Sequence, residues 1–222
     1  MKKLLAFLTF SLLTMPLYLK AASTEEVIKQ VQSTYDQAAD VSSEFVQKVK
    51  IASLEREVEK KGKALFKKPG KLRVEYDGDE GRLYVSDGKK MWLYEKGDTQ
   101  VQVFDMTSKT IPDEALTFLG GMGNLRAQFR VSGLSENEKK SIKANPNLDW
   151  LLLIPKNPES QMEELLMGFD RQLHTVSEAY LKNESGNVSH YFFSNVRLNA
   201  ALPDTEFSFD KPKGVKEIKG TI

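Results

Sequence analysis

Residues Gly62–Phe104 read GKALFKKPGKLRVEYDGDEGRLYVSDGKKMWLYEKGDTQVQVF. Five short runs of strand-forming residues follow one another, and each gap between them carries a turn signal. The gaps are Lys68-Pro69-Gly70, Asp77-Gly78-Asp79-Glu80-Gly81, Asp87-Gly88 and Lys96-Gly97-Asp98. Glycine reaches the φ > 0 conformations that tight hairpins need, and proline fixes φ and stops a hydrogen-bond ladder. Leu72, Val74 and Tyr76 alternate with Arg73 and Glu75, the period of a strand with one face toward a core. The stretch therefore predicts an antiparallel meander built by local pairing. A long curved meander is a suitable wall for a cavity.

Upstream, residues 23–40 read as a helix. Ser23 can cap it with Glu26 as the capping-box partner, and Val27, Ile28, Val31, Tyr35 and Ala38 form one apolar stripe. Spacing alone leaves open whether this helix docks on a sheet or plugs the mouth of a barrel. Residues 41–52 read as a first strand with Phe45, Val49 and Ile51 on one face, and 54–66 run from a turn into a second. Downstream, Ile111-Pro112-Asp113-Glu114 opens a short helix with proline and acids in its first turn. Ala115, Leu116, Phe118 and Leu119 are its apolar residues, and Gly120, Gly121 and Gly123 end it. It reads equally as a lid and as a connecting helix.

Further strands are expected at 125–132, 150–154, 162–169, 175–181 and 188–198, with a polar loop over 133–149. The unbroken apolar run at 150–154 calls for cover on both faces, as do Tyr191, Phe192 and Phe193 in succession. Eleven strands with two or three helices point to a barrel or half-barrel.

The first residues are an address. Lys2 and Lys3 precede the apolar run Leu4 to Leu13, and Ala21 and Ala22 follow, the order of a secretory signal peptide. Residues 1–21 are expected to be removed, leaving one domain over 22–222. Removal takes Lys2, Lys3 and Lys20 and no acid, which leaves 29 basic against 31 acidic groups. So even a balance supplies no electrostatic footprint for nucleic acid. An exported chain without cysteine has no disulfides and must rely on its core. It also lacks the cysteine on which a bacterial lipid anchor is built.

Little in the polar inventory suggests catalysis. His174 and His190 are the only histidines, too few for zinc without cysteine partners. No Gly-x-Ser-x-Gly elbow or phosphate loop is present. Asp77, Asp79 and Glu80 sit in a glycine-flanked turn and read as solvated acids. The expectation is a non-enzyme with no metal and no cofactor. The apolar inventory is generous: Met91, Met106, Met122, Met162 and Met167 suit an adaptable lining, although on their own plain core accounts for them better.

Read together, the residues resemble the LolA family of periplasmic outer-membrane lipoprotein carriers. The marks are Phe45 with Gln47, Gly62 leading to Lys68-Pro69, and Leu72-x-Val74-x-Tyr76. They continue through Val85-Ser86-Asp87-Gly88, Trp92-x-Tyr94 and Gln100-Val101, then Pro112 with Leu116, and end in Phe207-x-Phe209-x-x-Pro212-x-Gly214-Val215. The resemblance implies a mainly β fold, an unclosed antiparallel half-barrel under a lid of short helices. It implies a hydrophobic cavity for the acyl chains of lipoproteins. It also implies receipt from an inner-membrane ABC transporter and delivery to a lipid-anchored outer-membrane acceptor. A soluble periplasmic monomer is expected. The family commonly has Arg before the motif proline, coupled to the lid, where this chain has Lys68.

On that reading Val49, Phe66, Leu72, Val74, Met91, Leu93 and Val101 would line the cavity from the sheet. Leu116, Phe118 and Leu119 would line it from the lid, with Gly120, Gly121 and Gly123 as hinge and Lys68 as the lid-coupling residue. An acyl chain of ~16 carbons favours an apolar site by roughly 12 kcal/mol, at about 0.8 kcal/mol per CH₂. A carrier must shelter that surface and still release it. The alternatives are a LolA-like carrier of another lipid and a periplasmic sensor or regulatory binding domain.

Overall fold

The computed structural model describes residues 23–51, 56–78, 81–106, 125–158, 160 and 162–220. The expected signal peptide, the lid residues Leu116, Phe118 and Leu119, and the hinge glycines Gly120, Gly121 and Gly123 lie outside them.

Helix α1 (Thr24–Gln37) starts where its cap chemistry says it should. Ser23 Oγ accepts from the Glu26 N–H at 3.3 Å, and the Glu26 carboxylate accepts from the Ser23 N–H at 2.7 Å. Such a cap is worth about 1 kcal/mol. Val27, Ile28, Val31 and Tyr35 form its buried stripe.

The strands are β1 (Asp40–Ile51), β2 (Arg56–Lys67), β3 (Lys71–Tyr76), β4 (Arg82–Asp87), β5 (Lys90–Glu95) and β6 (Gln100–Asp105), then β7 (Phe129–Gly133), β8 (Leu148–Pro155), β9 (Met162–Asp170), β10 (Val176–Asn183), β11 (Val188–Leu198) and β12 (Lys216–Lys219). They form one sheet in the order β12-β6-β5-β4-β3-β2-β1-β11-β10-β9-β8-β7, with β12 and β7 as its two edges. The sheet is open, as expected for an unclosed barrel. The meander pairs in the predicted order, and its turns place Gly70, Gly88 and Gly97 at positive φ. Gly88 is required twice over, because a Cβ there would also lie 2.7 Å from the Pro69 carbonyl oxygen.

Three local readings are corrected. Leu125–Gln128 is a helical turn, α2, so β7 starts at Phe129 and not at 125. The polar loop 133–149 contains a short helix, α3 (Glu136–Ser141), with a capping box from Ser135 to Glu138. Among the described residues the strands number twelve, since β12 pairs parallel with β6. Its four residues are all exposed, so no alternation betrayed it.

Cross-strand partners sort the side chains onto two faces. Phe129, Val131, Leu151, Leu153, Leu165, Met167, Ala179, Leu181, Tyr191, Phe45, Ala64, Phe66, Leu72, Val74, Tyr84, Met91 and Phe104 share the inner face with α1 and form the main core. Gly62 belongs to this wall: a Cβ there would lie 2.6 Å from the Phe45 ring.

The outer face carries two smaller clusters. Loop 134–147 covers Trp150, Leu166 and Leu152, with Leu134 and Leu148 beside them. Trp150 Nε1 donates to the Asn145 carbonyl at 3.0 Å and the Tyr180 hydroxyl to the Ile142 carbonyl at 2.9 Å, so both polar tips are spent on the loop. The run 150–154 is thus covered on both faces, as its composition demanded. The C-terminal segment crosses the other half of the outer face. Phe207 is buried, Phe209 stacks on Trp92 at 5.9 Å, and Val215 joins Tyr94 and Val101. This crossover over the sheet is what lets β12 arrive parallel to β6.

Candidate functional site: the concave face of the sheet

The inner face is continuous from β6 to β7, and α1 lies against it. The anchoring of α1 starts at its ends. At the N-terminal end Arg126 pairs with Glu25, and further along the helix Gln32 Oε1 accepts from the Leu125 N–H at 3.1 Å. At the C-terminal end Tyr35 bridges two distant parts of the sheet. Its hydroxyl accepts from the Val176 N–H of β10 at 3.0 Å, and its backbone carbonyl accepts from Lys68 Nζ at 2.6 Å. Burial pushes the Tyr35 phenol up to about 12, against the lowering effect of the Val176 N–H, so it stays neutral. A groove of about 440 Å³ follows α1 beside these contacts, lined by Glu25, Ile28, Lys29, Gln32, Asp36 and Arg126.

Lys68 is half-buried, and its ammonium also reaches the Asp36 carbonyl at 2.9 Å. It therefore caps the C-terminus of α1 and does not merely solvate the β2–β3 turn. The last turn of α1 holds no basic residue of its own, so Lys68 supplies the cation that the carbonyl end favours. The expected lid partner of this position lies outside the described residues.

The other sequence-selected residues divide. Phe66, Leu72, Val74 and Met91 lie together on the inner face, the last three fully buried, and Leu93 packs half-buried against them. Val49 is on the same face, half-buried, opposite Val58 of β2 and Ser189 of β11. Val101 is not among them: strand parity turns it to the outer face, beneath Val215 and beside Tyr94. On β6 it is Phe104 that carries the inner face, opposite Met91.

The sequence reading passed over Gln47 as a site residue. It lies between Phe45 and Val49 on the inner face and is only 6% exposed. Its Nε2 donates to the Tyr191 hydroxyl at 2.8 Å and to Ser189 Oγ at 3.0 Å. The signal was available in the alternation itself, which sets a polar residue at an inward position. A buried amide left unpaired costs about 1–3 kcal/mol, so such a residue calls for partners. The second buried polar group near this face, Ser86, donates to the Gly70 carbonyl and accepts from the Gly88 N–H, both at 3.0 Å, and so ties two turns together.

Among the described residues no cluster of His, Asp or Glu could hold a metal, and no helix is long and apolar enough to cross a membrane. His174 sits in the β9–β10 turn and His190 on the outer face, well apart in role.

Comparison with known proteins bears on what this face serves. An outer-membrane lipoprotein carrier protein of Nitrosomonas europaea is 26% identical over 99% of this chain and 100% of its own length. One of Chromobacterium violaceum is 28% identical over 91% of this chain and 92% of its own. Among solved structures, a LolA superfamily protein of Nitrosomonas europaea aligns with 85% of this chain and 99% of its own at a TM-score of 0.47 and 11% identity. The family model described as outer membrane lipoprotein carrier protein LolA matches residues 36–210, the span from the end of α1 to beyond Phe209. With most of its length matched, the chain belongs to the LolA family of outer-membrane lipoprotein carrier proteins.

Proposed function

We propose that this protein shelters the acyl chains of lipoproteins on the concave face of its sheet and ferries them through the periplasm. On this reading it takes cargo from an inner-membrane ABC transporter and hands it to an outer-membrane acceptor. It performs no chemistry and needs no cofactor.

The observation that carries the reading is the inner face itself, in a chain of the lipoprotein-carrier family. From β6 to β7 the strands present one largely apolar surface, and the element covering it, α1, adds polar bonds at Gln32 and Tyr35 to its buried apolar stripe. A surface of that extent would serve as ordinary core in a closed barrel. In an open sheet it can exchange one apolar cover for another, which is what loading and release require. Exchange of α1 for an acyl chain costs little net burial, so affinity stays low enough for handover.

The test is to purify the protein from its own periplasm and identify what accompanies it by mass spectrometry. Triacylated lipoproteins in stoichiometric amount are the expected result. Free lipid alone would replace the cargo by another lipid, and protein partners without lipid would overturn the reading.

A further inference from the structure

Ser43 and Ser86 also lie on the inner face, but the group around Gln47 is the compact interruption of its apolar surface. Gln47 of β1 faces Tyr191 of β11 on one side and Lys60 of β2 on the other, by direct cross-strand pairing. Ser189 follows two residues along β11. Both hydrogens of the Gln47 amide are spent, on the Tyr191 and Ser189 hydroxyls. Its Oε1 accepts from no described residue, although the side chain is buried. Ser189 Oγ, while accepting from Gln47, gives its own hydrogen to no described acceptor. Lys60 is exposed, makes no ion pair among the described residues, and holds its ammonium 5.8 Å from the centre of the Tyr76 ring.

Leftover capacity is therefore specific: one buried acceptor, one hydroxyl donor and one ammonium donor, in neighbouring rows of one face. On the α1 side of this row the wall is Phe45, Ala64 and Val74. On the other side it is Val49 and Val58, half-buried. A purely apolar ligand would leave all three groups unmet, and a buried group of this kind stays costly until it is paired. A ligand with long chains joined through carbonyls and an N–H would meet them.

We propose that Gln47, Ser189 and Lys60 form a polar subsite that takes the ester and amide linkages at the head of an acylated cargo. Ser189 and Lys60 donate to the acyl carbonyls, and Gln47 Oε1 accepts the amide N–H. The chains then run toward α1 along Phe45 and the Tyr191 ring, and the polypeptide leaves past exposed Lys60. The subsite sets how deep the chains enter, a task that an apolar wall cannot perform because it has no preferred register. The proposal rests on the acyl-chain reading above.

The test uses the full mature protein and two probes: a synthetic tripalmitoylated cysteinyl lipopeptide, and the same molecule with its two ester carbonyls replaced by methylenes and its amide N-methylated, which stays neutral but lacks both the ester acceptors and the N–H. Each displaces a fluorescent apolar reporter, and affinities are compared for the natural sequence, Gln47→Leu and Ser189→Ala. The natural sequence is expected to favour the unmodified form at least tenfold. Gln47→Leu, which loses the N–H acceptor and the anchor of Ser189, should remove most of that preference while binding the modified form within about twofold, and Ser189→Ala should reduce the preference about threefold. Ser189 is half-buried, so its variant keeps the test open if Gln47→Leu unfolds. Equal affinity of the natural sequence for the two probes, or an undiminished preference in both variants, overturns the subsite while leaving the carrier reading intact. Failure of the natural sequence to bind either probe overturns the carrier reading and the subsite with it.

Discussion

The last turn of α1 ends in Tyr35, Asp36 and Gln37, an acid and no base, so its carbonyl end has no cation of its own. Lys68 answers from the neighbouring turn with two bonds, at 2.6 and 2.9 Å. A cation at a helix C-terminus is worth about 0.3–1 kcal/mol, and a hydrogen bond to a charged group about 1.5–3 kcal/mol. Part of this is lost to solvent screening at a half-exposed site. Lys68→Leu is expected to cost about 1–2 kcal/mol and lower the Tm by about 2–8 °C for a chain of this size. The amides of the last turn of α1 should exchange faster with solvent. Lys68→Arg, the residue common in the family, presents a planar fork that can reach both carbonyls and should hold the stability within about 1 kcal/mol of the original, a Tm change of about 2–4 °C at most. An unchanged exchange rate in Lys68→Leu would show that the two bonds contribute nothing to docking. Gly62 is a second residue-scale test. Even Gly62→Ala places a methyl against the Phe45 ring and the Glu75 carbonyl. Overpacking of this kind costs about 1–3 kcal/mol, and a chemical denaturation midpoint equal to that of the original protein would refute the contact.

At the scale of the element, β10 and β11 carry a ring ladder on their outer face. His190 stacks between Tyr180, at 3.7 Å, and Phe192, at 3.8 Å, and its Nε2 lies 3.1 Å from the Glu178 carboxylate. Burial between the rings lowers the His190 pKa and outweighs Glu178, which raises it; Lys48 lowers it further and Glu57 raises it. The fold therefore favours the neutral ring. Between the lowered value and the ordinary one of 6.5, the unfolded chain binds a proton that the folded chain does not. Stability from this site is complete above the ordinary value and is lost as pH falls through the lowered one. A urea midpoint that declines from pH 7 to pH 5.5 in the original protein, and less in His190→Gln, is expected. Parallel declines would assign the acid sensitivity elsewhere. Asp204 does not confuse this window. Asp204 is held down to about 2 by its bonds to Lys67 and Lys71, and its contribution fades only in far stronger acid.

At the scale of the molecule, what was legible in the chain followed from how local its causes are. The meander from β2 to β6 pairs neighbours in sequence, so turn glycines and alternation sufficed to order it. The capping box of Ser23 was legible for the same reason. Longer-range causes were hidden. Strand β12 has no buried face, and Val101 is buried on the outer face because the distant C-terminal segment covers it. Gln47 could be placed inward by parity, but its partners on β11 lie more than a hundred residues away. The position of α1 is the whole-molecule question, because Leu72, Val74 and Met91 are fully buried with it in place. A close-packed interior has no room for an acyl chain, so α1 or another cover must move before that end of the wall can be occupied. The absence of native cysteine makes this testable. A Cβ built on Gly133 would lie 3.7 Å from Thr24 Cβ, within the span that a disulfide bridges. Thr24→Cys with Gly133→Cys should therefore form one bond that pins the N-terminus of α1 to β7. It closes a loop of roughly 110 residues, worth about 4–5 kcal/mol on the chain-entropy account, so the oxidised form should melt higher. If α1 moves aside for cargo, oxidised protein should take up tripalmitoylated lipopeptide at least tenfold more slowly than the same protein after reduction. Equal uptake in the two forms would mean that chains load onto the half-buried end of the wall, near Val49 and Val58, with α1 fixed in place.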